Sequence, residues 1–433
     1  MIHTCIRLFR NKDIRKKILF TLAMMFVFRL GAAIPAPRVN TDIMTVGITS
    51  NSILAMMNLL GGGAFERLSV FALGVGPYIT ASIIIQLLAM DVIPALTEMA
   101  KSGQQGRVKM DKITRYLSVV LAFVQAITMI YAYDNGALGV TGILVESNWA
   151  NYFYVATVLT AGTMFLLWLA DRITQFGIGN GVSMIIFAGI VSGMPATFTQ
   201  VWSTLVDTSS SAAMFGGILS FAMYVVMYVL IIVLVVFMQL AVRKIPIQYT
   251  SSNMHRGKND ITYLPLKINS AGVMPVIFSS AIMTAPLTIM SFFPANDFST
   301  FLNNVLNMQK PLGLCIYAVL IVLFTFFYTN LQVDPEKIAE NLGKSGTYIP
   351  GIRPGAETKA YLAKVLNRIT VLGAAFILFI AMLPYLMTMF TNLTQSAALG
   401  GTGIIIVVGV ATETFSALKG MLTQKQYRGF IQR

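Results

Sequence analysis

The chain has 433 residues, 56% of them hydrophobic and only 11% charged, with a mean hydropathy of +0.73 and a formal net charge of +14. A soluble domain carries roughly 25% charged residues, so the composition excludes one and describes a protein that crosses a membrane several times. The positive balance is then read from where lysine and arginine sit, and not as affinity for nucleic acid.

Cys5 and Cys315 are too few for a disulfide framework and show no metal spacing. His3 and His255 lie outside the apolar segments, which excludes a histidine relay within the membrane. Taken in order, the chain first offers Arg15, Lys16 and Lys17 before an apolar run, an arrangement like a secretory leader. The many apolar segments that follow make it a first transmembrane helix instead.

At about 20 apolar residues per crossing, ten spans are expected. The first five are Ile18–Ile34, Val70–Ile93, Ile113–Tyr133, Tyr152–Ala170 and Gly181–Gly193. The second five are Phe215–Val242, Ile268–Phe292, Leu312–Asn330, Val365–Met389 and Thr402–Leu418. Of the 31 lysines and arginines, all but Arg29, Arg38, Arg67 and Lys310 fall in the termini, the loops on one side of these spans, or the first turn of a span leaving that side. That asymmetry places both termini in the cytoplasm. Arg29 lies near the outer end of the first span, where its head can snorkel to water.

Five spans in each half imply an inverted relation between the halves, with function at their interface. The expected division is 1–205, holding spans one to five, and 206–433, holding spans six to ten. Two cytoplasmic loops, 243–267 and 331–364, are far longer than a connection needs, and long loops on a rigid scaffold usually bind something.

Before the second span the backbone is interrupted. A short half-helix is expected over about 54–69, broken by Gly61, Gly62 and Gly63 and carrying Phe65, Glu66 and Arg67. It leads through Gly74, Gly76 and Pro77 into apolar sequence. Broken backbone at membrane depth must be buried in protein or line a watery cavity, because lipid offers it no hydrogen bonds.

Catalytic chemistry finds little support. Leu342-Gly343-Lys344-Ser345 imitates the end of a phosphate-binding loop, but Ile338 stands where the earlier glycine is required and no strand precedes it. No zinc spacing or nucleophile elbow is present. Asp91, Asp134 and Asp171 fall at span ends, and only Glu413 sits well inside a span. A secondary transporter with a midplane site at the broken Gly61–Pro77 segment is the rival from another class, and it would keep more ionisable groups at that depth.

The apolar spans do carry aliphatic pairs four residues apart: Ile79 and Ile83, Ile186 and Ile190, Val273 and Ile277. Such spacing puts each pair on one helix face. Thr80, Ser82 and Gln86 flank the first pair, Asn180 and Ser183 precede the second, and Asn269 and Ser270 precede the third. Polar groups above and below an apolar constriction are how a dewetting gate is built.

At these residues the chain resembles the SecY family, the channel subunits of bacterial protein translocases. The resemblance is carried by 71–88 (Phe-Ala-Leu-Gly-Val-Gly-Pro-Tyr onward), 177–186, 264–273, 348–355 (Tyr-Ile-Pro-Gly-Ile-Arg-Pro-Gly) and 400–402. It extends over essentially the whole chain and implies an all-α, ten-helix clamshell of two inverted five-helix halves around an hourglass pore. The pore ring would match Ile79, Ile83, Ile186, Ile190, Ile277 and Ile406, with Val273 beside it. The half-helix would be a plug, and the gate by which segments leave sideways would involve Thr80, Gln86, Gln125 and Asn269.

The resemblance further implies SecE, SecG, the SecA ATPase, the ribosome, preproteins with signal sequences, and membrane lipid as partners. It implies no cofactor, and the bacterial cytoplasmic membrane as location. Arg243, Lys244, Arg256, Lys258 and Arg353 would dock partners on the two long loops. The tip at 250–258 (Thr-Ser-Ser-Asn-Met-His-Arg-Gly-Lys) is less basic than in many members.

Overall fold

The computed structural model describes residues 11–39, 63–64, 68–89, 93–134, 144, 148–206, 211–249, 262–290, 297–308, 310–390 and 395–431. Its helices are α1 (Lys12–Ala33), α2 (Gly76–Leu88), α3 (Pro94–Lys101), α4 (Gln104–Asp134), α5 (Trp149–Phe176), α6 (Gly181–Leu205) and α7 (Ser211–Leu240). After strands β1 (Val242–Tyr249) and β2 (Thr262–Lys267) come α8 (Met274–Met290), α9 (Asp297–Leu306), α10 (Pro311–Gln332) and α11 (Pro335–Lys344). The chain then forms β3 (Thr347–Tyr348), α12 (Ala356–Phe390) and α13 (Gln395–Ile431).

Each of the ten expected spans falls on a helix. Among the described residues seven helices are long and apolar enough to cross a membrane, and Gly76–Leu88 and Met274–Thr284 are shorter apolar ones. The differences in length have local causes. Pro77 stands in the first turn of α2, so the helix starts there, and with 13 residues it rises only about 20 Å, less than a bilayer core. The expected seventh span begins six residues late. Asn269 Nδ2 donates to the Gly272 carbonyl at 3.1 Å and Gly272 takes a φ of +66°, so the backbone turns before α8 can begin.

The segment before α2 departs from expectation. Leu68 and Ser69 are not the end of a half-helix: Ser69 bridges to Pro35, the Ala36 amide donates to Leu68 O at 2.9 Å, and the Val70 amide donates to Ile34 O at 3.0 Å. Phe71 stacks between Phe28 of α1 (6.3 Å) and Phe165 of α5 (5.8 Å). Backbone hydrogen bonds to the end of α1 compete with a helix here, and they win because the aromatic stack holds both segments together. Gly61, Gly62, Phe65, Glu66 and Arg67 lie outside the described residues; Gly63 is in a turn with φ +81°.

Apolar packing orders the helices. On α5, Leu159, Leu166, Leu169 and Ile173 are fully buried and share one stripe, against which α1, α4 and α6 pack. Two contacts join distant spans of 1–205 and 206–433: α2 packs against α8, and α13 packs against α6. The outward faces of α7 and α10 stay apolar and exposed, as at Phe215, Met223, Phe237 and Val319. Patches of that extent are covered by lipid in a membrane protein.

The two long loops form one folded module instead of separate solvated segments. β1 pairs antiparallel with β2, Val242 opposite Lys267 through Ile247 opposite Thr262, and with β3 at Gln248–Tyr348 and Tyr249–Thr347. Ile245 and Ile247 alternate inward and are buried with Leu266, Leu342, Ile349, Leu362 and Ile369. Pro246 is tolerated in the central strand because β3 pairs only beyond it. The alternation in Val-Arg-Lys-Ile-Pro-Ile-Gln-Tyr was the available strand signal.

Candidate functional site

The seven expected ring residues come from four separate segments of chain and meet. Ile83 on α2, Ile186 and Ile190 on α6, Val273 and Ile277 at the start of α8, and Ile406 on α13 are buried in one apolar cluster. Ile79, half-buried, packs against it. Ile190 is 1% exposed and Ile277 9%. α13 can approach this closely because position 409 is glycine: a Cβ there would overlap Val273 Cγ1. These branched aliphatic side chains carry no hydrogen-bonding atoms, so contact among them is shape and dispersion alone.

Polar groups border the cluster on α2. Gln86 Nε2 donates to Ser82 Oγ at 2.9 Å, and Gln86 Oε1 accepts from Tyr328 Oη of α10, also at 2.9 Å. Tyr328 stands edge-on to Phe278 of α8, ring centroids 5.0 Å apart. One side-chain amide thus ties α2 to α10 beside the point where α2 meets α8. Sequence reasoning missed Tyr328, whose only signal was a position four residues after Phe324 on one face of an apolar helix. Thr80 donates to its own helix at Gly76 O, 3.2 Å. Gln125 is half-buried on α4, the helix packed along α2.

A cavity of about 150 Å³ lies between the ends of α7 and β2 and the middle of α13, lined by Gln239, Lys267, Asn269, Gly272, Thr412, Glu413 and Ser416 with Leu240 and Val242. Asn269 Oδ1 is buried without a hydrogen-bond partner in the structure. Thr412 donates to Gln239 Oε1. Glu413, the one carboxylate expected inside a span, therefore lines this cavity. A buried acceptor without a donor costs about 1–3 kcal/mol, and a water molecule in such a cavity would relieve it.

On the module built from the two long loops, Arg243 and Lys244 are exposed on β1, and Arg353 is exposed in the turn before α12. Glu357 Oε2 accepts from the Arg353 amide at 3.3 Å and Thr358 Oγ1 donates to the Arg353 carbonyl at 2.8 Å, which fixes the turn while the guanidinium stays outside. Arg256 and Lys258 lie outside the described residues. Asp334 caps α11, accepting from the Glu336 amide at 3.0 Å. Slight burial alone would raise its pKa, but the Lys337 side chain and the Lys337 and Glu336 amides hold it below its ordinary value. Lys344 ends α11 instead of opening a helix, so no phosphate cradle forms at 342–345. Among the described residues no group of His, Cys, Asp and Glu could hold a metal ion.

The SecY family model matches residues 69–415. The chain is 46% identical over 435 residues to the protein translocase subunit SecY of Staphylococcus aureus (strain NCTC 8325 / PS 47), covering 99% of each chain. Among solved structures it resembles one concerning the plug domain of SecY and the closed state of the translocation channel, with a TM-score of 0.66 and 20% identity over 93% of this chain and 91% of that one. It also resembles Sec61 in the canine ribosome–channel complex from the endoplasmic reticulum, with a TM-score of 0.59, 18% identity, and the same shares of the two chains.

Proposed function

The chain belongs to the SecY family, and on that premise we propose that the aliphatic cluster is the waist of a gated, passive protein-conducting channel. The protein is a multi-pass subunit of a protein-translocation channel. The observation that carries the proposal is the meeting of Ile79, Ile83, Ile186, Ile190, Val273, Ile277 and Ile406 from four distant segments in one apolar cluster.

The mechanism follows from the chemistry of those side chains. A ring of branched aliphatics offers no fixed polar ligand, so it adapts to any passing side chain and closes behind it. Water on the cytoplasmic side, admitted by the polar groups around Gln86 and Asn269, stops at the dewetted waist. The segment at about 54–69 is the plug that seats on the outer side. The mouth of the clamshell is the α2–α8 contact, and sequences leave there into lipid. That exit is a partition: each apolar residue gains about 0.3–0.6 kcal/mol in the bilayer centre and each charged one loses about 2.5–3.5 kcal/mol. Over about 20 residues the sum decides between export and insertion without a catalytic group.

In this reading 1–205 and 206–433 are the halves of the clamshell, hinged where α6 meets α7. SecE holds the halves together, SecG lies at the periphery, and SecA or the ribosome docks on the module that carries Arg243, Lys244 and Arg353. The membrane is the bacterial cytoplasmic one, with both termini in the cytoplasm. The experiment is reconstitution with SecE in liposomes. ATP-driven entry of an unfolded preprotein, dependent on SecA, is the expected result. Uptake of a small solute by this chain with SecE, and no preprotein passage, would overturn the proposal in favour of a transporter.

A further inference from the structure

Helix α9 lies in the outer connection between α8 and α10 and is built unlike any neighbouring segment. Phe298, Phe301, Leu302 and Val305 recur at i, i+3, i+4 and i+7, and Leu306 extends the same arc. Ser299, Thr300, Asn303 and Asn304 occupy the opposite arc, and Asp297 at the first turn is the only charged residue. None of the ten residues is buried, and Phe298 and Phe301 are 59% and 61% exposed.

The helix is held rigidly at one end. Leu306 packs against the central cluster, the Lys310 amide donates to Asn307 O at 3.0 Å, and the Leu314 amide donates to Lys310 O at 2.9 Å. Gly313 sits directly under the Asn307 carbonyl, where a Cβ would overlap the oxygen, so the junction with α10 closes to backbone contact. The Lys310 ammonium reaches Asn304 on the polar arc. From Leu306 to Pro311 the chain can extend no further than about 18 Å. α9 also packs against α8. It is therefore confined to the depth at which two membrane spans end.

We propose that α9 is an interfacial helix, with its Phe298–Phe301 edge seated in the boundary between headgroups and acyl chains of the outer leaflet. The committed occupant is lipid. The exposed stripe of α10 begins at Leu312, just beyond the junction, and continues through Val319 and Leu323 at 55%, 65% and 56% exposure, so an apolar lipid-facing surface runs up to the helix. A short helix with segregated faces and phenylalanines at this depth lies in the interface plane. The inference rests on the multi-pass topology and the charge asymmetry that sets the outer side, and it stands independently of whether the waist conducts protein.

The test uses the full chain with its small-subunit partner in vesicles of phosphatidylethanolamine and phosphatidylglycerol. Cys5 and Cys315 are replaced by serine, and a nitroxide is attached at Phe298→Cys, Phe301→Cys or Asn304→Cys. Power saturation with oxygen and an aqueous nickel chelate reads the depth. The expected result is an oxygen-to-nickel accessibility ratio several-fold higher at 298 and 301 than at 304, with the two labels about 5–10 Å below the phosphates. Equal nickel access at all three sites would place the helix in water and overturn the proposal. Exclusion of both reagents at 298 and 301 would show that protein covers the edge, and would overturn it as well.

Discussion

Ile277 and Ile406 belong to the seven ring residues, whose side chains carry only aliphatic carbon, and this makes each a sharp probe of the waist. Asparagine at either site brings an amide with no partner on the surrounding side chains, and an unpartnered polar group costs about 1–3 kcal/mol unless water follows it in. Water is the cheaper outcome at a constriction. Ile277→Asn and Ile406→Asn are therefore expected to raise resting ion conductance in planar bilayers and to let preproteins with defective signal sequences through. Unchanged leak and unchanged signal stringency in both variants would mean that these positions do not line the waist. At this scale the sequence was informative where spacing spoke. Ile79–Ile83, Ile186–Ile190 and Val273–Ile277 each announce a common face, whereas Ile406 was found only through the family resemblance, because it sits in the unbroken apolar run 404–408 where spacing singles out no face. Tyr328 was not found. Its importance comes from Gln86, on a helix far away in sequence, and no local pattern encodes a partner brought near by folding.

Among the elements, the connection into α2 shows best how packing overrules local expectation. A half-helix broken by three glycines was expected to run to about residue 69, yet Leu68–Val70 bond to the end of α1 and Phe71 inserts between two aromatic rings. Gly162 of α5 completes the arrangement, since a Cβ there would overlap the Val70 carbonyl oxygen. Backbone cannot yield as a flexible side chain does. Gly162→Val is expected to destabilise the complex by about 1–3 kcal/mol, seen as a lower thermal midpoint in detergent. Gly343→Ala is the contrasting variant: it lies within α11 with open space around it, and it should be neutral or stabilising by up to about 1 kcal/mol. Equal midpoints for Gly162→Val and the parent would remove the close approach as an organising contact. The long loops make the same point in reverse. Length and charge marked them as binding segments, but the shared sheet and buried core of the module needed both loops at once.

On the scale of the whole molecule, the module built from the two long loops presents Arg353 on a turn fixed by its own hydrogen bonds, with the guanidinium left exposed. Arg353→Glu is expected to abolish SecA-driven export in reconstituted vesicles while SecE association and thermal stability stay unchanged. Normal export by that variant would show that the turn does not dock the motor. The ten crossings were legible in the sequence. Hydrophobic length and the placement of lysine and arginine act on each segment separately, through its transfer from water to lipid. The sequence alone therefore determined that the chain spans a membrane, how many times, and which spans carry aliphatic faces. Tertiary structure decided the rest: that the four aliphatic segments meet in one cluster, that Gln86 answers Tyr328, that Leu68–Val75 is held against α1 and α5, and that the two long loops fold as one. Each of these joins residues distant in the chain, and such contacts are selected by packing and by the need to satisfy buried polar groups, which no single stretch of sequence contains.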